Sequence, residues 1–309
     1  MIIDLFHSSY NSTYSIKSGL LRKLKVPAII RLVVLSLANV IIPLVIRLSK
    51  TPTSSSANNY TAGPVVTLTS FPQRITNIHL VIESLLRQSL KPSRIILWLS
   101  KEQFPSLANL PKKLLDLQSK GLEIFLTEGD LRSYKKYYFF LKENAGCPFI
   151  IVDDDIFYPS YLLETLINSA QKHPNTVCAN RCAEINKNKP YREWSSIRGA
   201  SLEPSFNILP TGCGGVLYPA NSLHPDVLND TLFTDICKDA DDIWLNCMAY
   251  LNKTKTMYTG RNEYFLAVKS LGNVHLHTEN VSGSNNDNCI EMVGDYYSSE
   301  LGIDVFDRK

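Results

Sequence analysis

The longest apolar run in this chain lies near its start: from Leu32 to Ile46 only Ser36 and Asn39 are polar. That is about fifteen residues, short of the roughly twenty that cross a bilayer as a helix. Extending it back through Arg31 to Val26 reaches about twenty, but takes in that charge and two prolines. Arg22, Lys23 and Lys25 precede the run and Arg47 and Lys50 follow it, so flanking charge sets no orientation. The pattern fits a helix lying on a membrane surface, its basic residues at anionic headgroups. A single-pass anchor and a helix packed on the main body are the alternatives. A cleaved signal peptide fits poorly, because some two dozen irregular, polar residues come first and no small-residue cleavage site follows.

Residues 51–63 are low-complexity Ser, Thr, Asn and Ala, which cannot build a core and read as a linker. From Val65 onward strand and helix patterns alternate, predicting βαβ units and a mostly parallel sheet flanked by helices. Strands are expected at 65–69, 94–99 and 122–126, and helices at 75–89, 111–120 and 130–141. Gly121 closes the second of these helices. A further helix is expected at 161–173, the region 175–210 is polar and irregular, and a helix follows Asp242. The expected organisation is an N-terminal membrane-associated segment (1–50), the linker, a catalytic domain (64–280) and a C-terminal tail with a flexible loop (281–309).

The chemistry centres on residues 149–155, where Phe-Ile-Ile-Val runs into Asp153, Asp154 and Asp155. An unbroken apolar run of this kind reads as a strand buried on both faces, which puts the acids at its C-terminal end. In an open α/β sheet that end borders the ligand crevice. Three adjacent carboxylates repel one another, and a hard divalent cation taking oxygen ligands would neutralise them and in turn hold a diphosphate. Solvated turn chemistry or a helix cap is the plainer alternative. Lys135 and Lys136, with Arg132, lie one helix earlier, where a cation for a diphosphate is useful. Asp239, Asp241 and Asp242 form a second acidic group opening a helix, where the helix dipole alone would favour them. His275 and His277 alternate along a strand pattern and so face one side, either as metal ligands or as structural residues. Gly212, Gly214 and Gly215 ahead of an apolar strand imply a close backbone approach, without the Gly-Lys-Ser/Thr ending of a phosphate loop. Tyr191 and Trp194 offer aromatic surface, either for a sugar ring or for packing.

In this order the motifs resemble the GT-A glycosyltransferases, and within them the family-2-like enzymes of bacterial capsule and lipopolysaccharide biosynthesis. The resemblance covers about residues 64–280. It is carried by Val-Thr-Leu-Thr-Ser-Phe-Pro-Gln-Arg at 66–74, by Leu-Leu-Arg-Gln-Ser-Leu-Lys-Pro-Ser-Arg-Ile-Ile-Leu at 85–97, and by Val-Asp-Asp-Asp-Ile at 152–156, which looks like a DxD motif. It implies a GT-A (Rossmann-like) sheet and a Mn²⁺ or Mg²⁺ cofactor held by Asp155, with His275 or His277 completing the site. It implies nucleotide-sugar contacts from Thr69, Ser70, Arg74, Asp153 and Asp154, and from the backbone at Gly214 and Gly215. It also implies a catalytic base at Asp242, supported by Asp241, although Asp stands where the family's acidic pair usually begins with Glu. The implied donor is a nucleotide-diphosphate sugar, a UDP-sugar first, and the implied acceptor a glycan or glycolipid in surface-glycan synthesis.

Composition excludes some classes. A net charge of +3 without basic runs gives no footprint for nucleic acid. Seven cysteines with no paired C-x-x-C units indicate free thiols in a reducing compartment. This favours the cytoplasmic face of a membrane, although sequons at Asn11, Asn59, Asn229, Asn252 and Asn280 would suit a Golgi type II protein. A DxD phosphatase is the competing enzyme class, but it wants Thr or Val where Phe157 stands. A non-catalytic, membrane-tethered sugar-binding protein is the competing non-enzyme.

Overall fold

The computed structural model describes residues 1–16, 18–53, 64–261, 264–269 and 285–308. Helices α1 (Ile2–Ser12), α2 (Gly19–Lys23) and α3 (Val26–Leu48) come first, then strand β1 (Val65–Thr69), α4 (Ile78–Leu86) and β2 (Arg94–Ser100). Next are α5 (Lys112–Leu115), β3 (Leu122–Thr127), α6 (Tyr138–Glu143), β4 (Phe149–Ile151), β5 (Ile156–Phe157) and α7 (Leu162–Lys172). The chain continues through β6 (Val177–Ala179), β7 (Cys182–Glu184), β8 (Ile208–Pro210), β9 (Val216–Tyr218), α8 (Asp230–Ile236) and α9 (Asp241–Leu251). It closes with β10 (Thr256–Tyr258), β11 (Leu266–Ala267) and α10 (Asn285–Leu301).

Seven strands form one sheet in the order β10-β6-β9-β4-β1-β2-β3. All neighbours are parallel except β9, which runs antiparallel to both β4 and β6. The expected mostly parallel α/β sheet flanked by helices is therefore what the chain forms. Strands β2 and β4 read as nearly unbroken apolar runs because both faces are covered, whereas edge strand β3 leaves Glu123 and Phe125 partly exposed. Val66, Leu68, Ile95, Leu97 and Ile150 enter one core with α4 and α7, while Val65, Ile96, Trp98, Phe149 and Ile151 enter the other with α9 and α10. Since β1 to β4 and β6 point the same way, Thr69, Ser100, Thr127, Asp153 and Arg181 all emerge at one edge. Antiparallel β9 begins at that same edge, which delivers the 212–215 glycines there.

The structure departs from the sequence pattern in several places. Residues 2–12 and 19–23 are helical rather than irregular; on α1, Ile3 and His7 sit one turn apart and are both buried. The 130–141 stretch breaks at Tyr137 into a 3-10 turn, Arg132–Lys136, and the short α6. The 111–120 stretch likewise passes from α5 into a 3-10 turn before Gly121, whose φ of 102° suits a residue without Cβ. The region expected to be irregular holds β6, β7 and β8, each of three residues, too short to display a period. Most of the expected C-terminal tail is α10, with Cys289, Val293 and Tyr297 buried at four-residue spacing. All seven cysteines are free. Most of the linker (54–63) and the strand pattern carrying His275 and His277 lie outside the described residues.

Candidate functional site

Where the parallel strands end, a cavity of about 670 Å³ opens, lined by both acidic groups, Asp153 to Asp155 and Asp241 with Asp242. The acid triplet is held from behind. Buried Tyr158 accepts a hydrogen bond from the Asp153 N–H (2.8 Å), and the Val268 N–H donates to the Asp155 carbonyl (2.7 Å). Each acid has its own environment. Asp154 is buried, accepting from Ser70 Oγ (2.6 Å) and Arg74 Nη1 (2.6 Å) on opposite oxygens. The other nitrogen of Arg74 reaches Asp155 Oδ2 at 3.0 Å. Asp153 pairs with Lys136 Nζ at 2.6 Å. Arg74, bridging Asp154 and Asp155, and Lys136 thus offset part of the charge repulsion expected to demand a metal.

Lys136 joins the two acidic groups. Its Nζ lies 2.6 Å from Asp153 and 3.3 Å from Asp241. Its backbone carbonyl accepts from Thr67 Oγ1 (2.6 Å), which in turn accepts from Trp98 Nε1 (2.9 Å), so β1 and β2 fix its place. Lys135 turns instead to Asp130. Both lysines expected to meet a diphosphate are therefore already engaged. Arg132, in the same turn, pairs with Asp239 at 2.6 Å. Arg181 lines the cavity with these cations but, among the described residues, pairs with no carboxylate, its Nη1 lying 2.6 Å from Cys213 Sγ. Nothing in its flanking sequence marked it.

Asp241 and Asp242 occupy the first turn of α9, yet no side chain caps that helix. The acids face inward: Asp241 to Lys136, and Asp242 Oδ1 to the Gly212 N–H at 3.0 Å. Burial is the largest cause that lifts the Asp242 carboxyl to about 8, with the Asp241 charge adding and Lys136 opposing. The same balance lifts Asp155 to about 7: burial first, Arg74 opposing, Asp153 and Asp154 adding. Both shifts run upward because burial disfavours the charged form of a carboxyl.

The glycine assignment also changes. Gly214 and Gly215 do not line the cavity: a Cβ on Gly214 would strike the Arg181 backbone N at 2.7 Å, and Gly215, at φ 77°, faces Leu162 and Leu166. Gly212 is the glycine at the acids, where a Cβ would lie 3.2 Å from Asp153 Oδ1, 3.4 Å from Asp242 Oδ1 and 3.5 Å from Lys136 Nζ. We expect Gly212→Ala to disturb function with a small change in melting temperature. Gly214→Ala should instead cost about 1–3 kcal/mol of stability through overpacking. Urea denaturation of both variants beside a ligand titration checks the split; equal stability losses would contradict it.

Among the sequence candidates, Thr69, Ser70, Arg74, Lys135, Lys136, Asp153, Asp154, Asp155, Asp241 and Asp242 all line the cavity. Thr69 Oγ1 is spent on the Trp98 carbonyl (2.8 Å). Tyr191 and Trp194 line it too, but Trp194 is mostly buried and donates to the Lys189 carbonyl, which makes it a packing residue. Asn286, from α10, completes the wall. Among the described residues no three His, Cys, Asp or Glu side chains gather as an all-protein metal cage. A cation of the Mg²⁺ type needs less, because it keeps waters and draws ligands from a bound diphosphate beside one or two carboxylates. Asp155 and Asp153, 28% and 25% exposed against 7% for Asp154, fit that requirement.

No family model and no curated protein matches the chain. Similar solved structures include a mannosyltransferase, PcManGT, from Pyrobaculum calidifontis in complex with GDP-Man and Mn²⁺ (10% identity, 88% of this chain and 75% of that one, TM-score 0.46). TarS 1–349 of S. aureus is similar at 14% identity over 76% of this chain and 72% of that one, TM-score 0.44. An apo UDP-glucose pyrophosphorylase is similar at 10% identity over 78% of this chain and 99% of that one, TM-score 0.40. At these scores the likenesses assign the chain to no family, and function has to be read from the site.

Proposed function

We propose that this protein is a metal-dependent, inverting glycosyltransferase of GT-A type that moves a sugar from a nucleotide-diphosphate sugar, a UDP-sugar first, to a glycan or glycolipid acceptor of surface-glycan synthesis. The observation that carries the proposal is the meeting of two acid groups, Asp153 to Asp155 and Asp241 with Asp242, in one cavity at the strand ends. Bound with the donor, a divalent cation on Asp155 and Asp153 supplies charge neutralisation for the leaving diphosphate. His275 and His277 stay candidates as further ligands. Arg181, a lining cation with no carboxylate partner among the described residues, adds to that neutralisation in place of the engaged Lys135 and Lys136.

Asp242 serves as general base: as the acceptor oxygen attacks the anomeric carbon, its proton passes to the Asp242 carboxylate, and the bond from that carbon to the diphosphate oxygen breaks. Lys136 holds Asp241 in place beside it. Arg74 and Ser70 hold Asp154, which fixes the triplet rather than touching metal. Free cysteines support a reducing location, the cytoplasmic face of a membrane.

A ligand that binds only the native state raises the melting temperature. A thermal-shift screen against UDP-, GDP-, CMP- and dTDP-sugars, with and without Mn²⁺, should give a metal-requiring shift with one nucleotide. Asp155→Ala should lose that shift and Asp242→Asn should keep it. No shift with any donor, or equal loss in both variants, would sink the assignment.

A further inference from the structure

Helix α3 is the one helix among the described residues long and apolar enough to cross a membrane by length and composition, but it is two-faced. Ala38, Ile42 and Ile46 are buried in the main core. Asn39 donates to the Ala267 carbonyl (3.0 Å) and accepts from the Lys269 N–H (2.7 Å). Nearer the start of the helix, the Arg31 guanidinium lies 4.4 Å over the Tyr14 ring, which stacks on Tyr264 at 3.5 Å. Protein contacts therefore recur from Arg31 to Ile46. A spanning helix would leave the soluble body at one end, whereas this one has the body alongside it. The opposite face presents Ile29, Leu32, Val33, Val40, Leu44 and Leu48, each more than half exposed. Next to it α2 and the turn into α3 expose Leu20, Leu21 and Leu24 among Arg22, Lys23 and Lys25. Residues 1–50 carry seven Lys and Arg against a single acid, Asp4, in a chain whose totals are 32 and 29, so the remainder is net acidic.

We infer that α2 and the outer face of α3 form an in-plane docking surface for an anionic lipid bilayer. The apolar face enters the headgroup boundary and the flanking bases meet anionic headgroups. Helix α1, packed against α3, ties that surface to the site. Asp4 accepts from the Ser160 N–H (2.7 Å), and His7 Nε2 meets the Phe157 carbonyl at 2.6 Å, only a few residues beyond the acid triplet. Docking therefore sets the cavity at a fixed height above the bilayer, which selects a glycolipid acceptor. That acceptor class rests on the transferase proposal, while the docking itself does not.

Full-length protein, diluted from mild detergent, is mixed with vesicles of phosphatidylcholine alone or with phosphatidylglycerol and floated at low and high salt. Wild type should float with the anionic vesicles and be released by salt. Replacing Arg22, Lys23 and Lys25 by Gln should weaken that binding on the order of a hundredfold. Val40→Asp with Leu44→Asp should abolish flotation with the donor-induced thermal shift unchanged, since both positions are exposed. Trypsin added outside the vesicles should reach both ends of α3, at Lys25 and Lys50. Three results would overturn the inference: no flotation of wild type, protection of one end as in a spanning helix, or a wild-type dimer that the Asp variant dissolves while neither binds vesicles. Loss of transfer with flotation intact would count against the transferase proposal alone.

Discussion

Asp242→Asn is expected to lower transfer by about 10²–10⁴-fold, the usual contribution of a positioned base, while making the apo protein harder to unfold at pH 8. The amide keeps the shape and still accepts from the Gly212 N–H, but it cannot take a proton from the acceptor. The stability gain follows from proton linkage. The Asp242 carboxyl rises from 3.8 to about 8 in the folded protein, chiefly through burial and then through Asp241. Between those values the unfolded chain has released a proton that the native state retains. Unfolding is therefore favoured more at each step up in pH, and the contribution is fully present only below about 4. Asp155, raised to about 7, acts with the same sign.

Wild-type melting temperature measured in chelator should fall from pH 5 to pH 8, and Asp242→Asn should flatten part of that fall. The wild-type transfer rate should rise as pH passes through about 8, because the base must be ionised to accept the proton. A variant less stable than wild type at pH 8 would mean that Asp242 is not held in its acid form.

Lys136→Met carries the other large effect. Its ammonium is buried between Asp153 and Asp241, whose charges outweigh the cost of burial and hold it protonated far above the ordinary lysine range. Removing one partner of a buried ion pair leaves the other uncompensated, a loss of about 3–5 kcal/mol. Met fills the volume of the lysine stem without replacing its charge. The deficit should be full at pH 8 and shrink by pH 5 as the abandoned acids take up protons. Urea unfolding at the two pH values reads this directly, and a pH-independent deficit would point to packing rather than charge. Lys136→Arg should keep the charge while crowding Gly212, whose absent Cβ leaves only 3.5 Å to Nζ.

How much of this was legible beforehand depends on the range of the interaction involved. The α/β class, β1 to β4 and the placement of Asp153 to Asp155 at a strand end follow from local apolar patterning, because a strand covered on both faces is mostly apolar along its length. The resemblance at 66–74 and 152–156 likewise pointed to residues that line the cavity, whereas the segment 85–97 contributes none. The three-residue strands β6 to β8 were beyond reach, since their pairing is set by partners distant in sequence. A polar stretch also concealed α10, whose buried Cys289, Val293 and Tyr297 form a narrow stripe.

Sequence alone determined which residue types were present and at which ends of which elements they stood: three carboxylates after β4, two opening α9, a lysine pair before α6 and an apolar helix flanked by bases. Only the tertiary structure decided their partners. It gave Asp154 to Arg74 and Ser70, set Lys136 between Asp153 and Asp241, brought Gly212 rather than Gly214 against the acids, and turned one face of α3 onto the core. The physical reason is that charge pairing and desolvation depend on distances of a few ångströms between residues far apart along the chain, and no local pattern encodes those distances.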